Sequence, residues 1–442
     1  MLYNIFDAKA PQMPSPTKGT EIVNLLLSKA SKEMQQPLLP MVFPALSAHL
    51  SSDVKLMYSD NKYYEIGAGQ MGHIIGSSGT GKNQLTHLVG AICRDFCLHD
   101  ETEYKRLAEW SRQMKSLGNS KNKPERPSVY FTFPPSDITN AAFIQNADSL
   151  EQHEGRTMYL NLPEVGLADK ISGGHKQVSQ MIRQCYDVSR SGQLRATSDG
   201  VSANPRLRLC MTLSSTPDDA RAWYKRDMVN GTFGRITTAF VPRGERKGRI
   251  PRQGVYDEEY LAKLDRFLLR LSNAKGSFVV KPLNKVADQL AEEMCDLANM
   301  ADSDELFELS HRSIFSAWKK AAVLWILNDQ TYTRSIGEFM VYFCYYDLWS
   351  KLRVFSDMLA LGEPMQEEAQ KRGPKNFLQD LPNSFNEAQL EALRVSHGKS
   401  KDGARHQISV WCNRGFIEYS AQTGLYTKTA SYLNNEKLKI KN

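Results

Sequence analysis

Apolar positions along this chain recur with two different periods, and the change from one to the other divides it into parts. Between residues 71 and 256, short apolar or β-branched runs alternate with stretches of helical spacing. Residues 72–75 form the first run, and Leu85, Leu88, Val89, Ile92 and Phe96 follow it one helical face apart. Ser128-Val-Tyr-Phe-Thr-Phe133, Thr157-Met-Tyr-Leu-Asn-Leu162, Leu207-Arg-Leu-Cys-Met-Thr-Leu213 and Arg235-Ile-Thr-Thr-Ala-Phe-Val241 read as further strands from their β-branched and aromatic content. Helices are expected between them, over residues 101–117, from Ser136 through Ala147, and over residues 177–190. Strands alternating with helices predict an α/β core with a largely parallel sheet.

The flanks read differently. Residues 1–70 predict a mainly helical segment: a helix near residues 21–33, a proline-rich apolar stretch, a short helix over residues 45–50 and an edge strand at residues 63–66. Residues 257–362 carry dense aromatic and aliphatic stripes at helical spacing and no strand signal, which predicts an all-α lid region packed by those stripes. Residues 363–374 are charged and bounded by glycine and proline, so they read as a linker. Residues 375–442 run helix (386–395), helix (402–413), strand (416–420), tight turn, strand (425–429), an order that fits a winged helix.

Composition adds bounds. At 442 residues the chain is long enough for two or three cores. Seven cysteines, with no C-x-x-C pair, argue against a disulfide framework or zinc ribbon and point to a reducing cytoplasm. Nothing resembles a signal peptide, and no apolar run approaches the roughly 20 residues that span a bilayer, so no membrane is expected. The longest apolar stretch, around residues 339–349, contains Asp347 and reads as a buried helix. The net charge of +7 is compatible with nucleic acid without pointing to it.

Candidate chemistry concentrates after the first strand, in Gly76-Ser77-Ser78-Gly79-Thr80-Gly81-Lys82-Asn83. Strand, glycine-rich turn and helix start is the context of a phosphate-binding loop: glycines let backbone amides converge, the helix dipole adds positive potential, and Lys82 would reach the β and γ phosphates. An ordinary glycine turn is the alternative. Asn83 stands where such loops carry Ser or Thr for magnesium, so ATP with Mg2+ is the cofactor expected, through a metal site resting on Asn83 and Glu164. A second glycine pattern, Gly67-Ala-Gly69-Gln-Met-Gly72, precedes a strand instead of a helix and is rejected as a dinucleotide fingerprint.

Glu164, at the end of an apolar strand, is the candidate for orienting water; a carboxylate stabilised at a helix N-terminus is the other reading. Ser215 or Thr216 could sense the γ-phosphate, although such a cluster before proline is also an ordinary turn. Arg235 could be a finger reaching a phosphate in a neighbouring subunit, or an arginine at a solvated strand start. Arg243, Arg246, Lys247, Arg249 and Arg252 put five cations in ten residues, suited to a phosphodiester backbone or to a solvated connector. In the terminal region Arg405, His406, Gln407, Ser409 and Asn413 are placed on or near the exposed face of the second helix, with Lys399, Lys401 and Lys428 for phosphates; DNA is the partner this implies.

Taken in order, PALSAHLSSDVK, IIGSSGTGKNQL, LPEVG, LSSTPDDA, GTFGRI and the helical tail resemble the helicase-like P-loop ATPases of phages and mobile elements, a family of unknown function often fused to or beside primases. The resemblance runs from about Pro44 to Leu361. In outline the chain is also similar to minichromosome maintenance helicases. The resemblance implies an AAA+/RecA-like P-loop NTPase core, ATP bound between the subunits of a homo-oligomeric ring, movement on DNA, and a primase or other replication or excision partner. It would make Lys82 the phosphate lysine, Glu164 the catalytic glutamate, Thr216 a sensor and Arg235 the finger. Two positions depart from it: Asn83 for Ser or Thr, and Pro163 where an Asp normally precedes the glutamate. Both missing groups serve the magnesium ion; Asn161 or the more remote Asp169 would have to substitute.

Overall fold

Two helices, α1 (Glu21–Leu27) and α2 (Lys32–Ala48), open the chain. The second runs straight through the proline-rich stretch that separated the two helices expected above. Pro37, Pro40 and Pro44 each remove an amide donor and oppose helix before them. Their three- and four-residue spacing gathers them on one side, and α2 is buried along most of its length, so packing overrides propensity. The structure, a computed structural model, describes residues 3–58, 65–66, 69–117, 124–153, 155–172, 175–194, 201–225, 231–243, 252–359, 377–397, 400–430 and 432–433. The expected linker at residues 363–374 and the cations Arg246, Lys247, Arg249 and Lys399 lie outside these described residues.

After β1 (Val54–Met57) and β2 (Glu65–Ile66), an antiparallel pair, comes the α/β part. Its elements are β3 (Met71–Gly76), α3 (Asn83–Ile92), α4 (Arg94–Leu117), α5 (Asn140–Gln152), β4 (Met158–Leu162), α6 (Leu167–Ser172) and α7 (His175–Tyr186). They continue with β5 (Leu209–Ser215), α8 (Pro217–Tyr224), α9 (Thr232–Arg235) and β6 (Thr237–Val241). Four strands form one parallel sheet in the order β4-β5-β3-β6, with Ile75 opposite Ser215 and Gly76 opposite Val241. The mixed α/β expectation with a parallel sheet holds. α2 covers this sheet so closely that a Cβ on Gly72 would lie 2.9 Å from the Met41 sulfur.

The expected strand over residues 128–133 is not a strand. Thr132 O does accept from Tyr159 N of β4 at 2.8 Å. Its own amides, however, are held by side chains: Thr132 N and Phe133 N donate to the Asp100 carboxylate at 2.9 and 2.7 Å, and Phe131 N donates to Asn146 Oδ1 at 2.8 Å. Aromatic content brought this segment alongside the sheet, and α4 and α5 took the donors that a ladder would have used.

The helical part begins with α10 (Glu258–Asn273), then contains a strand that periodicity missed, β7 (Gly276–Val279), before α11 (Lys281–Ala301), α12 (Asp304–Leu327) and α13 (Arg334–Phe355). β7 pairs in parallel with β1, so the region is not all-α and is tied to the N-terminal segment. Four residues between two long helices are too few to show a period. One continuous hydrophobic core runs from Ile5 to Leu359.

β6 is an edge strand, and α13 closes it. Asp347 Oδ1 accepts from Thr238 N at 2.7 Å, Ser350 Oγ accepts from Phe240 N at 3.1 Å, and Tyr346 OH donates to Phe240 O at 3.1 Å. Asp347 Oδ2 takes Ser313 Oγ at 2.6 Å and the buried Lys351 ammonium at 2.8 Å. Two more lysines lie buried nearby. Lys319 Nζ donates to Gly69 O at 3.0 Å and sits 3.5 Å from the centre of the Tyr186 ring; Lys320 Nζ donates to Thr237 Oγ1 at 2.7 Å. Burial pulls both ammonium groups down to about 7.

The C-terminal part comprises α14 (Phe377–Asp380), β8 (Ser384–Phe385), α15 (Glu387–Ser396), α16 (Gly403–Asn413), β9 (Ile417–Ser420) and β10 (Leu425–Lys428). The strands form an antiparallel sheet in the order β8-β10-β9 over a separate core around Phe385, Leu390, Ile408 and Trp411. Polar contacts seat this body on the end of α11: Arg394 on Asp302 at 2.6 Å, Gln407 Nε2 on Met300 O at 3.1 Å, and Arg414 on Asp296. Among the described residues, no helix is long and apolar enough to cross a membrane.

Replacing Asp347 by Ala would strand Lys351 and two buried donors. A loss of about 3–5 kcal/mol in urea unfolding is expected, the cost of breaking a buried pair from one side. Lys319 and Lys320 give a pH signature. Their folded pKa lies below the unfolded value near 10.5, so the unfolded chain binds more protons between the two values and their contribution to stability rises with pH from about 7 towards 10. Urea midpoints should climb from about pH 7 to about 8.5, above which the buried cysteines, raised by burial, act in the opposite direction, and a Lys320→Met variant should flatten the climb.

Candidate functional site

Met71 to Gly76 is a buried strand because its neighbours on both sides are strands, and its end is fixed by contact with the edge strand. A Cβ on Gly76 would come within 2.8 Å of Val241 Cβ and 3.0 Å of Thr80 Oγ1, so only glycine lets the turn leave here. Gly79 and Gly81 then adopt φ of +77° and +91°, the left-handed region. Thr80 folds back, its hydroxyl donating to Ser77 O at 2.9 Å. Among the described residues, the amides of Gly79, Gly81 and Lys82 donate to no carbonyl. α3 begins at Asn83, which is exposed in its first turn. The Lys82 ammonium turns into the loop, donating to Gly76 O at 2.5 Å and Ser77 O at 2.9 Å. Burial lowers the Lys82 pKa, and the Asp219 carboxylate acts against that shift. Gln84 fastens the helix start to α2: its Oε1 accepts from Ser31 N at 2.9 Å and its Nε2 donates to Ser31 Oγ at 3.1 Å.

The turn lies at the C-terminal end of a strand flanked by β5 on one side and β6 on the other. The chain leaves β3 for the far edge, returns to fill the gap with β5, and then crosses to β6. Such a reversal opens a crevice at the carboxyl ends of parallel strands, where their ligands gather. Glu164 stands on the same rim, exposed, two residues beyond β4, and its carbonyl accepts from Leu167 N at 3.1 Å as α6 begins. Pro163 beside it is exposed. Asn161 is half-buried on the strand, and Asp169 accepts from Trp223 Nε1 at 3.1 Å, so its carboxylate is engaged with α8.

Thr216 caps α8. Its hydroxyl accepts from Asp219 N at 3.3 Å and donates to Asp219 Oδ2 at 2.6 Å, so the expected sensor hydroxyl is taken up by the cap. Asp219 itself, whose charge reaches Lys82, was missed in the sequence reading. The acidic pair after Thr216-Pro217 was its signal, since carboxylates gather at helix starts.

Arg235 is not at a strand start and not on a solvated surface. It ends α9 with its side chain 12% exposed, its guanidinium on Asp187 at 3.4 Å and on Gly231 O at 3.0 Å. Burial and the nearby Arg312 charge lower its pKa. Because α9 precedes β6 and the strands are parallel, Arg235 lies at the opposite rim from the turn. It cannot reach the turn of its own chain.

Two DNA expectations need correction. Gln407 is buried, with Oε1 accepting from Arg394 Nη1 at 2.7 Å; Ala404, Gln407, Ile408 and Trp411 share the inward face of α16 at i, i+3, i+4 and i+7. Lys428 is buried at the end of β10 and donates to Leu381 O at 2.6 Å. Arg405, His406, Ser409 and Asn413 remain exposed, with Arg405 paired to Glu387 at 2.7 Å. Arg243 and Arg252 are exposed.

No protein-family model matches the chain, and no curated protein matches it.

The turn makes a contrast that stability measurements can read. Ala at Gly76 must displace Val241 or the turn and should cost about 1–3 kcal/mol, the range for overpacking. Ala at Gly90 of α3 meets nothing within 4 Å and should stabilise by about 0.5–1 kcal/mol. Equal effects of the two in urea unfolding would contradict the close approach at Gly76.

Proposed function

We propose that this chain is an ATP-dependent DNA motor, a helicase-like ATPase acting in the replication or excision of a mobile element or phage. In this reading the α/β part is an AAA+/RecA-like P-loop core and the C-terminal part a winged helix. The observation that carries it is the position of the glycine turn. It leaves the strand at which the sheet order reverses, with unengaged amides and Lys82 turned inward.

Triphosphate hydrolysis asks for a phosphate cradle, an oriented water and positive charge on the transition state. The amides of Gly79, Gly81 and Lys82, with the Lys82 ammonium, form the cradle; the ammonium exchanges the loop carbonyls for phosphate oxygens. Glu164 orients water from the same rim. Arg235 faces away from its own turn, so it serves the turn of a neighbour after leaving Asp187, which makes the working form a homo-oligomer closed into a ring. Asn83, Glu164 and Asp219 present oxygen donors only, the set that suits Mg2+. Bound there, the ion would neutralise phosphate charge.

The second reading is a degenerate nucleotide-binding scaffold or switch that binds DNA and hydrolyses ATP weakly or not at all. Asn83 and Pro163 favour it, since neither supplies a hydroxyl or carboxylate to a metal ion. In both readings Arg405, His406, Ser409 and Asn413 face DNA, joined by Arg243 and Arg252, and a primase or another replication or excision protein is the partner. Antiparallel strands behind two helices, with these residues left outward on α16, support the winged-helix assignment.

Steady-state phosphate release, measured with and without single-stranded DNA, separates the two. A motor shows DNA-stimulated turnover that Lys82→Ala abolishes. Bound nucleotide without turnover assigns the scaffold. If Arg235 acts across subunits, co-assembled Lys82→Ala and Arg235→Ala protomers should regain part of the activity each lacks alone; no recovery in a proven mixed assembly removes that role.

A further inference from the structure

His73 lies in β3, where every other residue is apolar or glycine, and its ring is fully buried. No step proposed above uses it. Its Nε2 is 2.8 Å from Ser215 Oγ and its Nδ1 is 3.2 Å from Tyr224 OH. Ser215 Oγ has one hydrogen, and that is donated to Thr216 O at 3.0 Å. His73 must then donate from Nε2 to Ser215 and accept at Nδ1 from Tyr224. One directed chain results: Tyr224 O–H to Nδ1, Nε2–H to Oγ, and Oγ–H to Thr216 O. Burial pulls the imidazole down to about 3, so it stays in this neutral tautomer across the physiological range.

The two partners bracket one helix. Ser215 ends β5 immediately before the Thr216 cap of α8, and Tyr224 is the last residue of α8, so one ring in β3 contacts the chain on both sides of the helix. α8 in turn carries Asp219, whose charge acts on Lys82. Two of its other contacts reach the end of α13: Arg221 Nε donates to Val354 O at 2.8 Å, and the Tyr224 ring meets Phe355 edge-on at 5.3 Å.

We infer that His73 is a positioning residue: it seats α8 against the strand that feeds the glycine turn, fixing Asp219 relative to Lys82 and linking the turn to the end of α13. The link to nucleotide rests on the phosphate-site reading. The seating of α8 does not, and it is tested without any ligand.

Amide hydrogen exchange by mass spectrometry on the nucleotide-free full chain reads the seat. His73→Phe keeps a buried ring and removes both bonds. Peptides of α8 should exchange roughly tenfold or more faster, while β4 and β5 keep their protection. His73→Gln keeps a donor near the Nε2 position and should protect the start of α8 better than its end; Tyr224→Phe removes one bond only and serves if the Phe variant does not fold. With a fluorescent ATP analogue, His73→Phe should bind within about threefold of the parent yet lose the nucleotide-induced protection of α8. Wild-type exchange across α8 in a folded His73→Phe or Tyr224→Phe chain overturns the inference. If the parent chain binds no ATP analogue, the phosphate-site reading fails and the coupling falls with it, while the exchange result still decides the seat.

Discussion

A buried sheet edge must have its amides satisfied, and the edge of β6 sets the constraint on which the rest of this structure depends. Thr238 and Phe240 would otherwise leave donors unpaired inside the protein, at about 1–3 kcal/mol each. Asp347 and Ser350 of α13 take them, and Lys351 balances the aspartate. Helix thereby replaces the fifth strand. Once α13 is docked, β6 is fixed; once β6 is fixed, Val241 stands against Gly76, and the glycine turn departs from a defined place.

The same helix closes a circuit through the molecule. α13 ends against α8 through Val354 and Phe355, α8 is bonded to β3 through His73, and β3 lies between β5 and β6. A change in charge at the turn therefore has a short, packed route to the helical part. Across the sheet, Arg235 is tied to Asp187 on the rim away from the turn. Under the proposed function, a glycine turn on one rim and a buried arginine on the other would suit stacking of like subunits.

Much of this was legible in the chain. The turn, its helix and three of the five proposed strands of the α/β part follow the expected pattern at nearly the expected residues, because a buried parallel strand needs an apolar run and glycines punctuate it. The fifth, Arg235-Ile-Thr-Thr-Ala-Phe-Val241, is a strand only from Thr237, since Arg235 closes a short helix. What escaped was decided by distant partners. Residues 128–133 have strand composition but lost their ladder to Asp100 and Asn146. α2 survives three prolines through burial. β7 is too short to carry a period. At the site, Lys82 and Glu164 came from motif and strand-end position, and both stand on the rim expected. Gln407 was read by residue type, when the helical phase of Ala404, Ile408 and Trp411 already turned it inward. Thr216 stands at its expected strand end, its hydroxyl taken by Asp219 in a cap that the following acidic pair announces, whereas Arg235 is buried on the far rim against Asp187, a partner that no local pattern announces.

The central claim is that the turn from Gly76 to Asn83 holds the phosphates of a nucleotide. Equilibrium titration with a fluorescent ATP analogue, competed by ATP, by ADP and by adenosine, tests it most directly. The account predicts saturable binding that ATP and ADP displace and adenosine does not, weakened roughly tenfold or more by Lys82→Ala, as loss of a charge-assisted contact requires. Binding that adenosine displaces equally well, or that Lys82→Ala leaves unchanged, would contradict it.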